Sequence, residues 1–196
     1  MNLPNRLTIV RIIFIPVMLL FMIPIGEGAW AEFVSGWGML IALVMFSAAS
    51  ITDYMDGSIA RKRGLITTFG KLMDPIADKL LVLSALIAFV QLGRIHSIIP
   101  IVIMAREFLV TGLRVLAATQ GADIAAIRSG KLKTVTQIVA IILLFVEAVL
   151  KGLTNWTGVA NIVNLIANIA VVLAVLLTIY SGWEYLSRGK AWLADR

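Results

Sequence analysis

Mostly apolar residues run along this chain in blocks of about 18 or more, each long enough as a helix to cross roughly 30 Å of hydrocarbon. The blocks predict six transmembrane helices, at about 7–25, 36–60, 73–92, 97–119, 132–150 and 159–182. Between them lie turn signals: Pro24 to Gly28, Arg63-Gly64, Gly93, Gly121 to Gly130 and Lys151-Gly152. No internal repeat, low-complexity tract or linker divides the sequence, so residues 1–196 read as one all-α, polytopic membrane domain. Ile23-Pro24-Ile25-Gly26-Glu27 offers no small-x-small cleavage site, so the first block is expected to remain a helix rather than act as a removable signal.

Composition agrees with this pattern. Of 196 residues, 60% are hydrophobic and only 14% charged, too little charge to cover a soluble domain of this size. The formal net charge of +6 raises nucleic acid as a partner, but the positions of the charges give them another meaning. Thirteen of the seventeen lysines and arginines, Arg6 and Arg11 among them, fall on one side of the predicted helices. The other side holds Arg94 and Lys151 with acidic Glu27 and Glu32, and Arg106 and Arg114 lie within the fourth block. Basic residues collect in cytoplasmic loops, so both termini are expected in the cytoplasm, in a cell membrane, with no nucleic-acid partner. Trp183, Tyr185 and Trp192 near the last helix end read as interfacial anchors. With no cysteine and one histidine, His96, any metal must be held by oxygen, which favours Mg²⁺, Mn²⁺ or Ca²⁺.

The chemistry concentrates where the second block ends and the third begins. Asp53 and Asp56 are three apart, Asp74 and Asp78 four apart, and each spacing sets both carboxylates on one helical face. Pro75 suits the first turn of a helix, which would make Asp74 its N-cap. Four carboxylates at the edge of a low-dielectric slab stay ionised only beside cations. Two divalent ions about 3.5–4 Å apart would neutralise them and could clamp a diphosphate. Gly57 and Gly70 remove side chains where a bulky ligand would approach, and Arg61 supplies a fixed positive charge for phosphate oxygens. The simpler alternative has these aspartates capping helix ends and pairing with Arg61, Arg63 and Lys79. It accounts for one pair as well as metal binding does, and poorly for four, given the cost of charge within a membrane.

At these residues the chain resembles the CDP-alcohol phosphotransferase family, whose signature is D-x2-D-G-x2-A-R-x8-G-x3-D-x3-D. Its eight fixed positions are all present, as Asp53, Asp56, Gly57, Ala60, Arg61, Gly70, Asp74 and Asp78, within 26 residues. The six-helix plan extends the resemblance over most of the chain. The resemblance implies that Asp53, Asp56 and Asp74 ligate two divalent cations, Mg²⁺ or Mn²⁺, holding the diphosphate of a CDP-activated lipid at the cytoplasmic face. It implies Asp78 as general base, close enough to the metals to serve as a ligand too, with Gly57, Ala60 and Arg61 on the nucleotide side. An acceptor hydroxyl would attack the lipid-linked phosphorus and expel CMP. A homodimer is implied by the family alone.

The signature leaves the acceptor open. The amino end from Asn2 to Arg11, then Ala105-Arg106-Glu107, Arg114 and the run from Ser129 to Gln137, resemble the branch of the family that uses glycerol 3-phosphate with CDP-diacylglycerol. Arg106 and Arg114, eight apart in a hydrophobic segment, require an anionic partner that Glu107 alone does not supply. With Lys131 and Lys133 they predict a basic pocket for a phosphate-bearing alcohol. Thr134 and Gln137 are candidate acceptor or lipid contacts, or else bonds to a neighbouring helix. Asn161, Asn164 and Asn168 share a face suited to helix–helix hydrogen bonding, His96 reads as an interfacial polar residue, and Glu147 has no assigned role. Two rival readings are a phosphatidylinositol-phosphate or cardiolipin synthase using the same aspartates, and a small cation-coupled transporter. The second predicts acidic residues near the midplane and broken helices in paired repeats, whereas these aspartates cluster at one membrane face and no repeat is visible.

Overall fold

The computed structural model describes residues 3–63, 68–119, 128–154 and 156–193, with side chains described at 8–52, 73, 76–119, 129–154 and 156–187. Among the described residues every regular element is helical. They are α1 (Leu3–Met22), a short α2 (Ala29–Phe33) that passes through a π-helical turn (Val34–Gly38) into α3 (Met39–Arg63), then α4 (Thr68–Gln91), α5 (Ile98–Thr119), α6 (Arg128–Leu153) and α7 (Thr157–Leu193).

Three differences from the sequence expectation matter. The helical run carrying Asp53 and Asp56 begins at Ala29 rather than near 36, and its π turn is wedged between the ends of α1 and α6. Glycine makes that possible: a Cβ on Gly38 would lie 2.8 Å from the Phe21 carbonyl, and one on Gly36 2.8 Å from Leu153. α4 begins at Thr68, so Asp74 lies inside the helix rather than at its N-cap, and Pro75 stands in the second turn. The apolar spacing of Phe69, Leu72, Met73 and Ile76 continues the helix backwards, outweighing the one backbone hydrogen bond that an interior proline forfeits. α7 runs 37 residues, eleven past its expected end at 182.

Among the described residues three stretches, 29–52, 129–153 and 157–187, are long and apolar enough to cross a membrane, and a shorter apolar helix covers 8–22. α4 and α5 interrupt their apolar character with charges at Asp78 and Lys79, and at Arg106, Glu107 and Arg114. The outer surface is as apolar as the interior: Leu165, Ile169, Val172, Leu176 and Ile179 of α7 all face outward. Such a surface suits lipid rather than water. Inside, Phe145 of α6 packs between Phe46 of α3 and Phe89 of α4, with ring centroids 5.7 and 4.9 Å apart. Ala140, Ala148, Ala167 and Ala174 are buried in the same core, and small residues of this kind let membrane helices approach closely.

At one end of the bundle, Gly93 (φ 68°) closes α4: the Arg94 amide donates to the Phe89 carbonyl at 2.9 Å, a Schellman turn that only a residue tolerant of positive φ forms easily. The turn aims Arg94 at Glu147, whose Oε1 accepts from Arg94 Nη1 and from Lys151 Nζ, each at 2.6 Å. Glu147, which the sequence left without a role, is the buried centre of an ion triad. His96, two residues after Arg94, stands just before α5, its Nδ1 accepting from the Ile98 amide at 3.3 Å. On the asparagine face of α7, Asn168 donates to Asn164 at 2.5 Å along the same helix, and no hydrogen bond from this face to another helix occurs among the described residues.

Candidate functional site

The four aspartates lie on two consecutive helices. Asp53 and Asp56 belong to the last three turns of α3, and Asp74 and Asp78 to the first three turns of α4. The side chains of Asp53, Asp56, Gly57, Ala60, Arg61, Gly70 and Asp74 lie outside the described residues. Among the described residues no group of three or more histidine or acidic side chains is gathered for a metal. The donor set itself still bears on fit: oxygen ligands, borne by the adjoining ends of successive helices, suit a hard divalent cation such as Mg²⁺ or Mn²⁺.

Asp78 is described, and it has a partner that sequence reasoning treated only as an orientation signal. Arg11 Nη1 of α1 donates to Asp78 Oδ1 at 2.7 Å. Arg11 is 4% exposed and Asp78 43%, so the guanidinium is held within the protein while the carboxylate faces an opening. The signal for Arg11 was present in the sequence. Thr8 and Arg11, three apart on an otherwise apolar helix, are both buried and mark one polar stripe on α1.

A second polar cluster joins α5, α6 and α7. Glu107 Oε1 accepts from Lys133 Nζ of α6 and, at 3.3 Å, from Arg106 Nη1. Nε and Nη2 of Arg106 are buried and have no hydrogen-bond partner among the described residues. Eight residues separate Arg106 from Arg114, which leaves about 80° between them around the helix. It is Tyr185 of α7 that brings their heads together. The guanidinium carbons lie 5.4 and 5.3 Å from the Tyr185 ring centroid, so both are within cation–π range of one ring. Arg114 Nη2 also donates to the Tyr185 hydroxyl at 2.5 Å. Tyr185 is therefore buried among the arginines and is not the interfacial anchor expected from its place beside Trp183. The sequence signal for it was the run Thr178, Ser181, Gly182, Tyr185, a polar stripe along one face of a long apolar helix, with Thr178, Ser181 and Tyr185 fully buried.

Two glycines open space at this cluster. A Cβ on Gly182 would approach Arg106 Cγ to 3.1 Å, so α7 packs on the arginine stem only because that Cβ is absent. Gly130 faces Arg106 Nη2 and Tyr185, where a Cβ would lie 3.6 to 3.8 Å from them. Ser129 Oγ donates to Glu184 Oε2 at 2.6 Å and ties the start of α6 to α7 on the same level. Of the remaining expected residues, Lys131 is exposed, and a two-residue step from Lys133 turns it about 200° away from Glu107. Thr134 bonds to the Gly130 carbonyl of its own helix at 3.2 Å. Gln137 donates to Thr178 of α7 at 3.0 Å, the helix-pairing alternative.

Chemically, this arrangement holds a partly exposed carboxylate on one side of α4, and on the other a cationic cluster with guanidinium nitrogens left unsatisfied among the described residues. A buried donor without an acceptor is costly, and an anionic ligand would satisfy it.

Comparison with known proteins bears on both halves. The model of the CDP-alcohol phosphatidyltransferase family matches residues 1–180. The chain is 40% identical over 192 residues to the CDP-diacylglycerol–glycerol-3-phosphate 3-phosphatidyltransferase of Bacillus subtilis (strain 168), covering 95% of this chain and 94% of that one. It is 38% identical over 192 residues to the protein of the same name from Rickettsia typhi, covering 97% and 98%. It is also 38% identical over 187 residues to a probable phosphatidylglycerophosphate synthase of Mycobacterium tuberculosis (strain H37Rv), covering 95% of this chain and 81% of that one.

Proposed function

This chain belongs to the CDP-alcohol phosphatidyltransferase family, and from that premise we propose that it transfers the phosphatidyl group of CDP-diacylglycerol to glycerol 3-phosphate, releasing CMP. The observation that carries the choice of acceptor is the basic cluster, where two buried nitrogens of Arg106 await an acceptor beside Lys133 and a single carboxylate. The names of the relatives from Bacillus and Rickettsia support the same substrates.

In this mechanism the acceptor phosphate binds Arg106, Arg114 and Lys133, with Lys131 at the approach from solvent and Thr134 and Gln137 behind the pocket. Asp78 takes the proton of the acceptor hydroxyl as that oxygen attacks the lipid-linked phosphorus and the bond to CMP breaks. Arg11 holds the Asp78 carboxylate in place by donating to its Oδ1. Asp53, Asp56 and Asp74, with Asp78 close by, hold two divalent cations, Mg²⁺ or Mn²⁺. When bound, these cations supply positive charge against the diphosphate and the leaving CMP. Arg61 adds charge to the nucleotide side, and Gly57, Ala60 and Gly70 leave room for it.

The same reading takes α1, the 29–63 run, α4, α5, α6 and α7 as six spans of a single domain, with both termini and the aspartates at the cytoplasmic face. The asymmetry of lysine and arginine supports that orientation. A homodimer in the cell membrane belongs to the proposal through family resemblance.

The test is CMP release from CDP-diacylglycerol by purified enzyme offered glycerol 3-phosphate, inositol phosphate or phosphatidylglycerol. Glycerol 3-phosphate should be the productive acceptor, and release should stop when divalent cations are chelated. Asp78→Asn should bind CDP-lipid yet lose about 10²-fold or more in kcat. Preference for another acceptor would transfer the site to a rival reaction, and near-normal turnover of Asp78→Asn would remove Asp78 from the base role.

A further inference from the structure

Lys79 follows Asp78 in the chain and takes no part in the reading above beyond its charge. Successive helical residues point about 100° apart. Asp78 turns toward α1, where Arg11 holds it, and Lys79 turns toward α5. There Lys79 Nζ donates to Thr111 Oγ1, and Thr111 Oγ1 donates in turn to the Glu107 carbonyl at 2.7 Å. Lys79 also lies within electrostatic reach of Lys133. Among the described residues no carboxylate stands within ion-pair distance of it. Arg106 and Lys133 share the Glu107 carboxylate, Lys79 reaches the Glu107 backbone through Thr111, and Arg114 meets Arg106 at Tyr185, with two Arg106 nitrogens unsatisfied among the described residues. A set of cations this poorly balanced in a weakly solvated place calls for a ligand bearing more than one negative charge.

We propose that Lys79 is the wall of the acceptor pocket nearest the base, binding the acceptor's phosphate and selecting alcohols whose phosphate lies a few bonds from the reacting hydroxyl. The proposal rests on the acceptor reading above and deepens it. Base and ammonium are consecutive residues of one rigid helix, so the backbone sets the distance between proton acceptor and phosphate binder. An alcohol without a phosphate leaves Lys79 and Arg106 unsatisfied, and one with a phosphate too far from its hydroxyl cannot reach both. The Thr111 hydroxyl orients the ammonium toward α5 and away from the aspartates, which keeps it from competing with the cations of the nucleotide side.

The experiment uses the full chain, purified and supplied with CDP-diacylglycerol and divalent cation, with CMP release as readout. Lys79→Gln should raise the KM for glycerol 3-phosphate about ten- to a hundredfold and leave that for CDP-diacylglycerol unchanged. Lys79→Arg should recover part of the loss, since the charge is kept and its geometry altered. Inorganic phosphate should compete with glycerol 3-phosphate in the wild type and compete less well in Lys79→Gln. An unchanged KM for glycerol 3-phosphate in folded Lys79→Gln, or an equal rise in both KM values, overturns the proposal. Should Lys79→Gln not fold, Thr111→Val carries the test, since it keeps the charge and removes its guide: a severalfold rise in the glycerol 3-phosphate KM supports the proposal, and a wild-type KM overturns it. Arg106→Ala separates the two levels. If it raises the KM for glycerol 3-phosphate and Lys79→Gln does not, Lys79 alone is excluded; if neither does, the acceptor reading falls with it.

Discussion

Glu107 and Glu147 make a natural pair for comparison. Each is a largely buried carboxylate on a helix of this bundle, and each accepts from one arginine and one lysine. At Glu147 the cations remain partly solvated, Arg94 at 27% and Lys151 at 39% exposure, and the triad is complete in itself. At Glu107 the cations are buried, Arg106 at 10% and Lys133 at 4%, with Lys79 and Arg114 close by. Solvent screens the excess charge of the first triad, so it serves as a latch between the α4–α5 turn and α6. The second cannot be relieved by water in the same way and carries unsatisfied donors. Equal composition yields a self-contained triad at one end and an under-satisfied cationic cluster at the other, and desolvation makes the difference.

The comparison can be broken at either end. Arg106→Ala is expected to have the largest effect: a rise of about ten- to a hundredfold in the KM for glycerol 3-phosphate, with the CDP-diacylglycerol KM little changed. Arg106→Lys should restore it only in part, because an ammonium does not reproduce the planar fork. Equal damage to both substrates would make Arg106 structural and erase the contrast with Glu147. Glu147→Gln should leave both KM values and kcat intact while lowering stability in detergent by about 1–2 kcal/mol, the partial exposure of its partners limiting the loss. A kinetic defect there without a stability change would place the Glu147 triad in the catalytic machinery. The smallest effect is expected from Tyr185→Phe, which keeps the ring within reach of both guanidiniums and removes only the hydroxyl that accepts from Arg114. The glycerol 3-phosphate KM should rise about two- to tenfold. A loss as large as that of Arg106→Ala would show that the hydroxyl itself meets the ligand.

Much of this protein was legible in the order of its residues. Long apolar blocks give helices wherever the backbone must satisfy its own hydrogen bonds, and the glycine and proline clusters marked most of the breaks. The aspartate spacing could be recognised because helical periodicity converts a short sequence pattern into a shared face, and the family likeness of those positions extends to the family match over residues 1–180. Local sequence was a poorer guide where an element's end depends on what it packs against. Thr68, six residues before Asp74, starts α4 because the apolar face continues past the proline, and the π turn at 34–38 exists because glycine lets it wedge between two other helices. The identity of partners was decided by tertiary structure alone. Arg11 and Asp78 are 67 residues apart, Arg114 and Tyr185 are 71 apart, and Arg94 and Glu147 are 53 apart. Periodicity says which face of a helix a charge occupies, whereas only packing determines which opposing face meets it and how much water remains between them.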